Sequence, residues 1–272
     1  MTAPHPILTA WIDGIGLIGP GLPDWPTARS ILAGSATYTF GPTLAPPPPG
    51  LPPAERRRAG LSVKVALAVA QEALVAAQRD ARQFSTVFAS SSADGDNCDA
   101  ICKVLASADR QLSPTRFHNS VHNAPAGYWG IASGAMTPAT VLCVYDSSFG
   151  AGLLEALTQI AVEGSNTLLI AYDAPYPEPL NAKRPIPAAT GLALALMPRQ
   201  SPHSLARIQV SLSEAEPDML ADKWLETLRR TIPAARGLPL LQALARGRAG
   251  TVVLDYLAPL SLVLTVEPVN HR

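Results

Sequence analysis

One stretch constrains this chain more than any other, from residue 139 to residue 172. ATVLCVY is an apolar run of strand length, DSSFGAG a turn made mostly of small residues, and a helical pattern, AGLLEALTQIAV, runs from Ala151 to Val162 before a second apolar run, TLLIAY, at 167–172. Apolar strand, tight turn, helix and apolar strand in that order describe a layered α/β unit, with strands apolar on both faces because helices cover them. The turn Asp146-Ser147-Ser148-Phe149-Gly150-Ala151-Gly152 sits between strand and helix, where α/β enzymes often hold a nucleophile.

The remaining chain extends the alternation. Residues 7–18 read as a strand and 24–34 as a helix capped by Asp24, with Pro26 in its first turn. Residues 41–53, with Pro46 to Pro49, read as an extended surface crossing. A continuous helix is expected over 54–78, where Val63, Leu67, Ala70, Leu74 and Ala77 keep a 3.6-residue period. A strand at 84–90, a small-residue turn, a helix at 97–108, a loop carrying Leu112, Pro114 and Phe117, and a helix at 122–133 lead to the central unit. Beyond it come strands at 190–197 and 205–212, helices at 218–230 and 238–246, and strands at 251–255 and 260–266. No repeat of fixed period is present.

Composition narrows the function classes. The 272 residues are 47% hydrophobic and only 15% charged, below the roughly 25% common in soluble domains, which fits either a large partner interface or simply a chain rich in Ala, Leu and Pro. Net charge is zero, 21 basic against 21 acidic residues, so no basic stripe argues for nucleic acid. Arg56-Arg57-Arg58 reads as a solvated helix start. No apolar run reaches the ~18 residues of a membrane span, and no signal peptide is apparent. Three cysteines, Cys98, Cys102 and Cys143, suggest reduced thiols in a cytoplasmic protein; Cys143 reads as a thiol buried in the sheet. No cofactor or metal set is apparent, since Cys98 and Cys102 alone do not complete one.

Three motifs carry a resemblance: SSSADGD after the strand at 84–90, the run from Pro114 through Asn123-Ala124-Pro125-Ala126-Gly127, and DSSFGAGLLEAL. Together they resemble the β-ketoacyl synthase family of the thiolase-like fold, and among its members the short, N-terminal-half proteins of chain-length-factor type found with aryl polyene and type II polyketide ketosynthases. The resemblance implies an α-β-α fold with the first half complete and the second truncated: residues 1–200 as the ketosynthase-like half, and 201–272 as a short extension packed on the same core. Active members of the family carry a nucleophilic Cys at the turn and two His in the second half. Anchoring on Gly150 and Gly164 puts Ser147 at the Cys position; anchoring on Gly152 puts Phe149 there. His203 and His271 sit in no motif.

The resemblance therefore implies a partner subunit without condensation chemistry. It would pair with a catalytic ketosynthase across an edge strand at 139–145, meet an acyl carrier protein through the complex, and shape the acyl tunnel. Phe149, Gly150 and Gly152 would lie at the tunnel, and His122, Asn123, Tyr128 and Trp129 at the interface, with Trp129 a possible anchor. The alternative is an acyltransferase or hydrolase using Ser147, flanked by Asp146 and Ser148, with His118 or His122 as base; the turn lacks both glycines of the Gly-x-Ser-x-Gly elbow. By pattern His122 begins a helix and His118 lies in a loop.

Overall fold

The computed structural model of the chain describes residues 7–269. In order its elements are β1 (Leu8–Ile18), α1 (Trp25–Ala33), α2 (Pro53–Arg58), α3 (Leu61–Ala77), β2 (Phe84–Ala89), α4 (Gly95–Leu105), α5 (Pro114–Asn119), α6 (Ala124–Ser133) and β3 (Ala139–Leu142). Then follow α7 (Ser148–Glu163), β4 (Asn166–Asp173), α8 (Leu180–Lys183), β5 (Thr190–Met197), β6 (Ala206–Ser213), α9 (Lys223–Thr231), α10 (Leu238–Arg246), β7 (Gly250–Asp255) and β8 (Ser261–Pro268). All eight strands form one sheet in the order β3-β2-β4-β5-β1-β6-β8-β7. The β2–β3 and β2–β4 pairs are parallel and the others antiparallel. The strands after residue 201 thus continue the sheet begun by β1.

Alternation along the central strands builds two cores. Leu169, Ala171, Leu192, Leu194 and Leu196 face the side covered by α7, α1 and α10. Leu168, Ile170, Tyr172, Ala193 and Ala195 face α3 and α6. The result is the helix–sheet–helix layering expected. Small residues let α3 approach very closely: a Cβ on Gly14 would lie 2.0 Å from the Ala73 carbonyl oxygen, and one on Gly16 2.0 Å from that of Val69. Just before these contacts, between Ile12 and Gly14, the β1–β5 register slips, and Asp13 turns into the interior. Its carboxylate accepts from the Ser201 hydroxyl at 2.5 Å, the Ser204 hydroxyl at 2.7 Å and Arg79 at 3.4 Å. A buried charge needs such partners.

Four expectations change. The helix at 54–78 is two helices, because Ala59 and Gly60 are extended. The break lets the chain pass Asp94 so closely that a Cβ on Gly60 would meet its Oδ2 at 2.4 Å. The loop near Pro114 contains α5, started by Pro114 and a Ser113 cap. The strand at 139–145 stops at Leu142 and is half-exposed at the sheet edge, not covered on both faces. The helix at 218–230 starts at Lys223, where the Asp222 carboxylate accepts from the amides of Trp224 and Leu225. Asp218 is held back by bonds to Val253 in both directions.

Candidate functional site

The turn is built by a local reversal and its own hydroxyls. After β3, Tyr145 takes φ +50°, in the left-handed region, and Tyr145–Ser147 form a single 3-10 turn leading into α7. A left-handed conformation is uncommon for a non-glycine residue and marks a sharp reversal. The Ser148 hydroxyl donates to the Tyr145 carbonyl at 2.8 Å and accepts from the Val144 amide at 3.1 Å, which fixes the start of α7. The Ser147 hydroxyl, nearly buried, donates to the Tyr256 carbonyl at 2.9 Å. Close approach requires the two glycines that follow. A Cβ on Gly150 would meet the Asp255 carbonyl at 2.8 Å, and one on Gly152 the Ala89 methyl at 2.7 Å. Phe149 is fully buried, its ring stacked so tightly over Gly237 that a Cβ there would lie 2.5 Å away. The ring therefore fills the space behind the turn.

A line of alternating charges braces the turn. Arg229 pairs with Glu226 at 2.7 Å and with Asp255; Arg236 reaches Asp255 at 3.7 Å and Asp146 at 3.5 Å. Arg184 pairs with Asp146 at 2.7 Å and lies 3.3 Å over the Tyr145 ring. These guanidinium groups are mostly buried, so their pairing is less screened than that of a surface ion pair. At the end of this line sits Asp173, at the C-terminal tip of β4 and fully buried. It accepts from the Ser91 amide at 2.9 Å, the Ser91 hydroxyl at 2.6 Å and the Ala234 amide at 2.8 Å. Burial pushes its carboxyl up to about 6, against the pull of those donors and of Arg184. None of Arg184, Arg236, Asp255 and Asp173 stands out by sequence spacing, because each finds its partners across the fold; Arg229 has one local partner, Glu226, three positions before it.

The histidines lie elsewhere, and their pattern reading is reversed. His118 is in α5, edge-on to the Tyr128 ring at 6.5 Å. His122 is in the turn before α6, and burial lowers its pKa below the ordinary histidine value. Ser147 spends its proton on a backbone carbonyl, and neither histidine is bonded to it. Asn123 is exposed at the start of α6 and makes no side-chain cap. Tyr128 and Trp129 are buried in the core beneath α3, so Trp129 is not an exposed anchor; Tyr128 donates to Asn119 at 2.9 Å. Cys143 is exposed rather than inside the sheet, because the strand has already ended, and its thiol lies 3.2 Å from the Ser91 carbonyl. Among the described residues no group of three or more His, Cys, Asp or Glu is placed to hold a metal. His271 lies outside the described residues.

An eight-stranded mixed sheet between helical layers, with a strand, a sharp turn and a helix at its parallel end, defines the thiolase-like ketosynthase class of fold. The chain belongs to the β-ketoacyl synthase family: residues 35–251 match that family's N-terminal domain. No curated protein sequence matches it. Among solved structures it is similar to a chain of the ketosynthase ApeO in complex with its chain length factor ApeC from Xenorhabdus doucetiae, with TM-score 0.72 and 19% identity over 95% of this chain and 99% of that one. It is similar to a chain of the ishigamide ketosynthase/chain length factor, with TM-score 0.70 and 13% identity over 96% and 100%. A third likeness, TM-score 0.70 and 11% identity over 97% and 100%, is to a chain of AntDE:AntF, a type II polyketide acyl-carrier protein in complex with its ketosynthase bound to the hexaketide.

Proposed function

We propose that this chain is a non-catalytic, chain-length-factor-type partner of an active β-ketoacyl synthase in aryl polyene, polyketide or fatty acid biosynthesis. The observation that carries the reading is the turn itself. Ser147 in this reading stands at the position of the family's thiol, and its hydroxyl is committed to the Tyr256 carbonyl, between a buried ring and a line of paired charges. In this reading Phe149 plugs the acyl tunnel at that point, and residues 201–272 are an extension closing the back of the turn. The protein works in the cytoplasm and meets the acyl carrier protein only through the complex. The ketosynthase complexes among its structural neighbours support the choice of partner. The serine-enzyme alternative lacks a base at Ser147.

Pairing would use the open side of β3. Thr86 and Ser90 donate to the carbonyls of Pro138 and Leu142, so even-numbered residues face β2 while Ala139 and Val141 turn their amides and carbonyls outward. In α6 and in the connection from it to β3, Ile131 and Met136 are exposed, Met136 by 96%. An edge with open amides beside apolar side chains suits a partner strand. Val141→Pro removes one outward N–H and no bond to β2, a substitution edge strands tolerate. With a tagged ketosynthase co-expressed, the wild type is expected to co-purify and support condensation, and Val141→Pro to fold yet lose the partner. Covalent acyl labelling of Ser147 in the isolated chain would overturn this reading in favour of the enzyme.

A further inference from the structure

At the opposite end of the sheet the β5–β6 connection and the α7–β4 connection enclose a cleft of about 400 Å³. Arg79, Asn166, Arg199, Gln200 and Ser201 form its polar wall, Met197 and Pro198 its apolar one. Measured along β4 it lies roughly 23 Å from Asp173, at ~3.3 Å per residue, well away from the turn.

Two guanidinium groups share this cleft, and they are held differently. Among the described residues the Arg79 side chain makes one hydrogen bond, a long one of 3.4 Å to Asp13, whose oxygens already take the short bonds from Ser201 and Ser204. Most of the five N–H donors of Arg79 are therefore unspent. Arg199 is exposed and its side chain has no polar partner among the described residues; nor has Gln200. The nearby Asp80 does not compensate, since it is closed into a pair with Arg82 at 2.6 Å. Asn166 gives one of its two amide N–H groups to the Gln83 carbonyl, which leaves Arg79, Arg199 and Gln200 as the main available donors.

We propose that this cleft binds a phosphate group. Two planar guanidinium forks offer more donors than the two oxygens of a carboxylate can accept, whereas a phosphate presents three or four oxygens and up to two charges. The cleft has room for the group that a phosphate ester carries behind it. The inference does not depend on the partner-subunit reading.

Titration of the full chain with inorganic phosphate at constant ionic strength tests it, followed by calorimetry and by amide chemical shifts. Saturable binding is expected, with shifts confined to residues near 79, 164–166 and 197–201. Because Arg199 is exposed and unpartnered, its variants should fold normally by circular dichroism. Arg199→Ala is expected to weaken binding about tenfold or more, the worth of one charge-assisted hydrogen bond, and Arg199→Glu to abolish it. Added sodium chloride should weaken binding in the wild type, as screening requires. Glycerol 3-phosphate binding more tightly than inorganic phosphate identifies an ester as the ligand; equal binding identifies the phosphate group alone. Absence of saturation, or binding unchanged in Arg199→Glu, would overturn the proposal.

Discussion

Two helices lie on opposite faces of one sheet, and each is admitted by glycine, yet they are fixed by different physics. Helix α3 meets β1 through Gly14 and Gly16 and β5 through small side chains, with its backbone against the strand. Its contacts are short, and the Glu72 carboxylate reaches around to accept from the amides of Leu17 and Trp25. Helix α7 meets the strand ends through Gly150 and Gly152, but the turn leading into it is held by a serine bonded to a distant carbonyl and by ion pairs from two later segments, those of Arg184 and Arg236. The first contact is specified by residue size and tolerates almost no increase. The second is specified by partners far apart in sequence and should yield stepwise.

The largest effect that would separate the two is expected from Gly16→Val. Overpacking a core usually costs about 1–3 kcal/mol when side chains can move aside. Here the atom met at 2.0 Å is a helix carbonyl, which cannot, so no soluble folded protein is expected on expression. Phe149→Ala should cost about 3–5 kcal/mol, read as a lower urea midpoint, because the ring is fully buried against Gly237 and the void it leaves can collapse only in part. In the complex the same variant should lengthen or broaden the product distribution; unchanged products from an intact complex would sink the plug reading.

Titration of Asp173 comes next. Its folded pKa, about 6, lies above the ~3.9 of an unfolded aspartate, so between those values the folded chain holds more protons. Asp173 therefore makes stability fall as pH rises from about 4 to 6, by up to about 3 kcal/mol, and contributes no further slope above that window. Other carboxylates titrate there too, so the measurement is the difference between wild type and Asp173→Asn across that range. Identical pH profiles would show that Asp173 does not titrate in this way. The smallest effect is expected from Ser147→Ala, about 1 kcal/mol for one lost hydrogen bond, with co-purification of the ketosynthase intact. A much larger loss would mean that the turn depends on this hydroxyl more than on its charges.

The same contrast explains what was legible in the sequence. The Asp24 cap, the 3.6-residue period of α3 and the apolar runs of β4 and β5 are local signals, and each element formed where its pattern stood. The interruption at Gly60 was hidden, because the reason for it is Asp94, more than thirty positions away. The early end of β3 was hidden too: CVY continues the apolar run, and only the reversal at Tyr145 stops the strand and leaves Cys143 exposed. At the turn, Ser147 and the two glycines could be found by motif. Arg184, Arg236 and Asp255 could not, since an arginine in a loop carries no sign of the carboxylate it will meet.

The shortness of β3 has a consequence for selectivity. Four residues leave two, Ala139 and Val141, with outward-facing backbone groups, too few bonds to hold an arbitrary strand for long. If a partner pairs there as proposed, it would have to add side-chain fit, with the exposed Met136 just before the strand, before it stayed. An edge that cannot hold by hydrogen bonding alone would then filter its visitors: most strands that touched it would leave, and residence time rather than first contact would decide which chain remained.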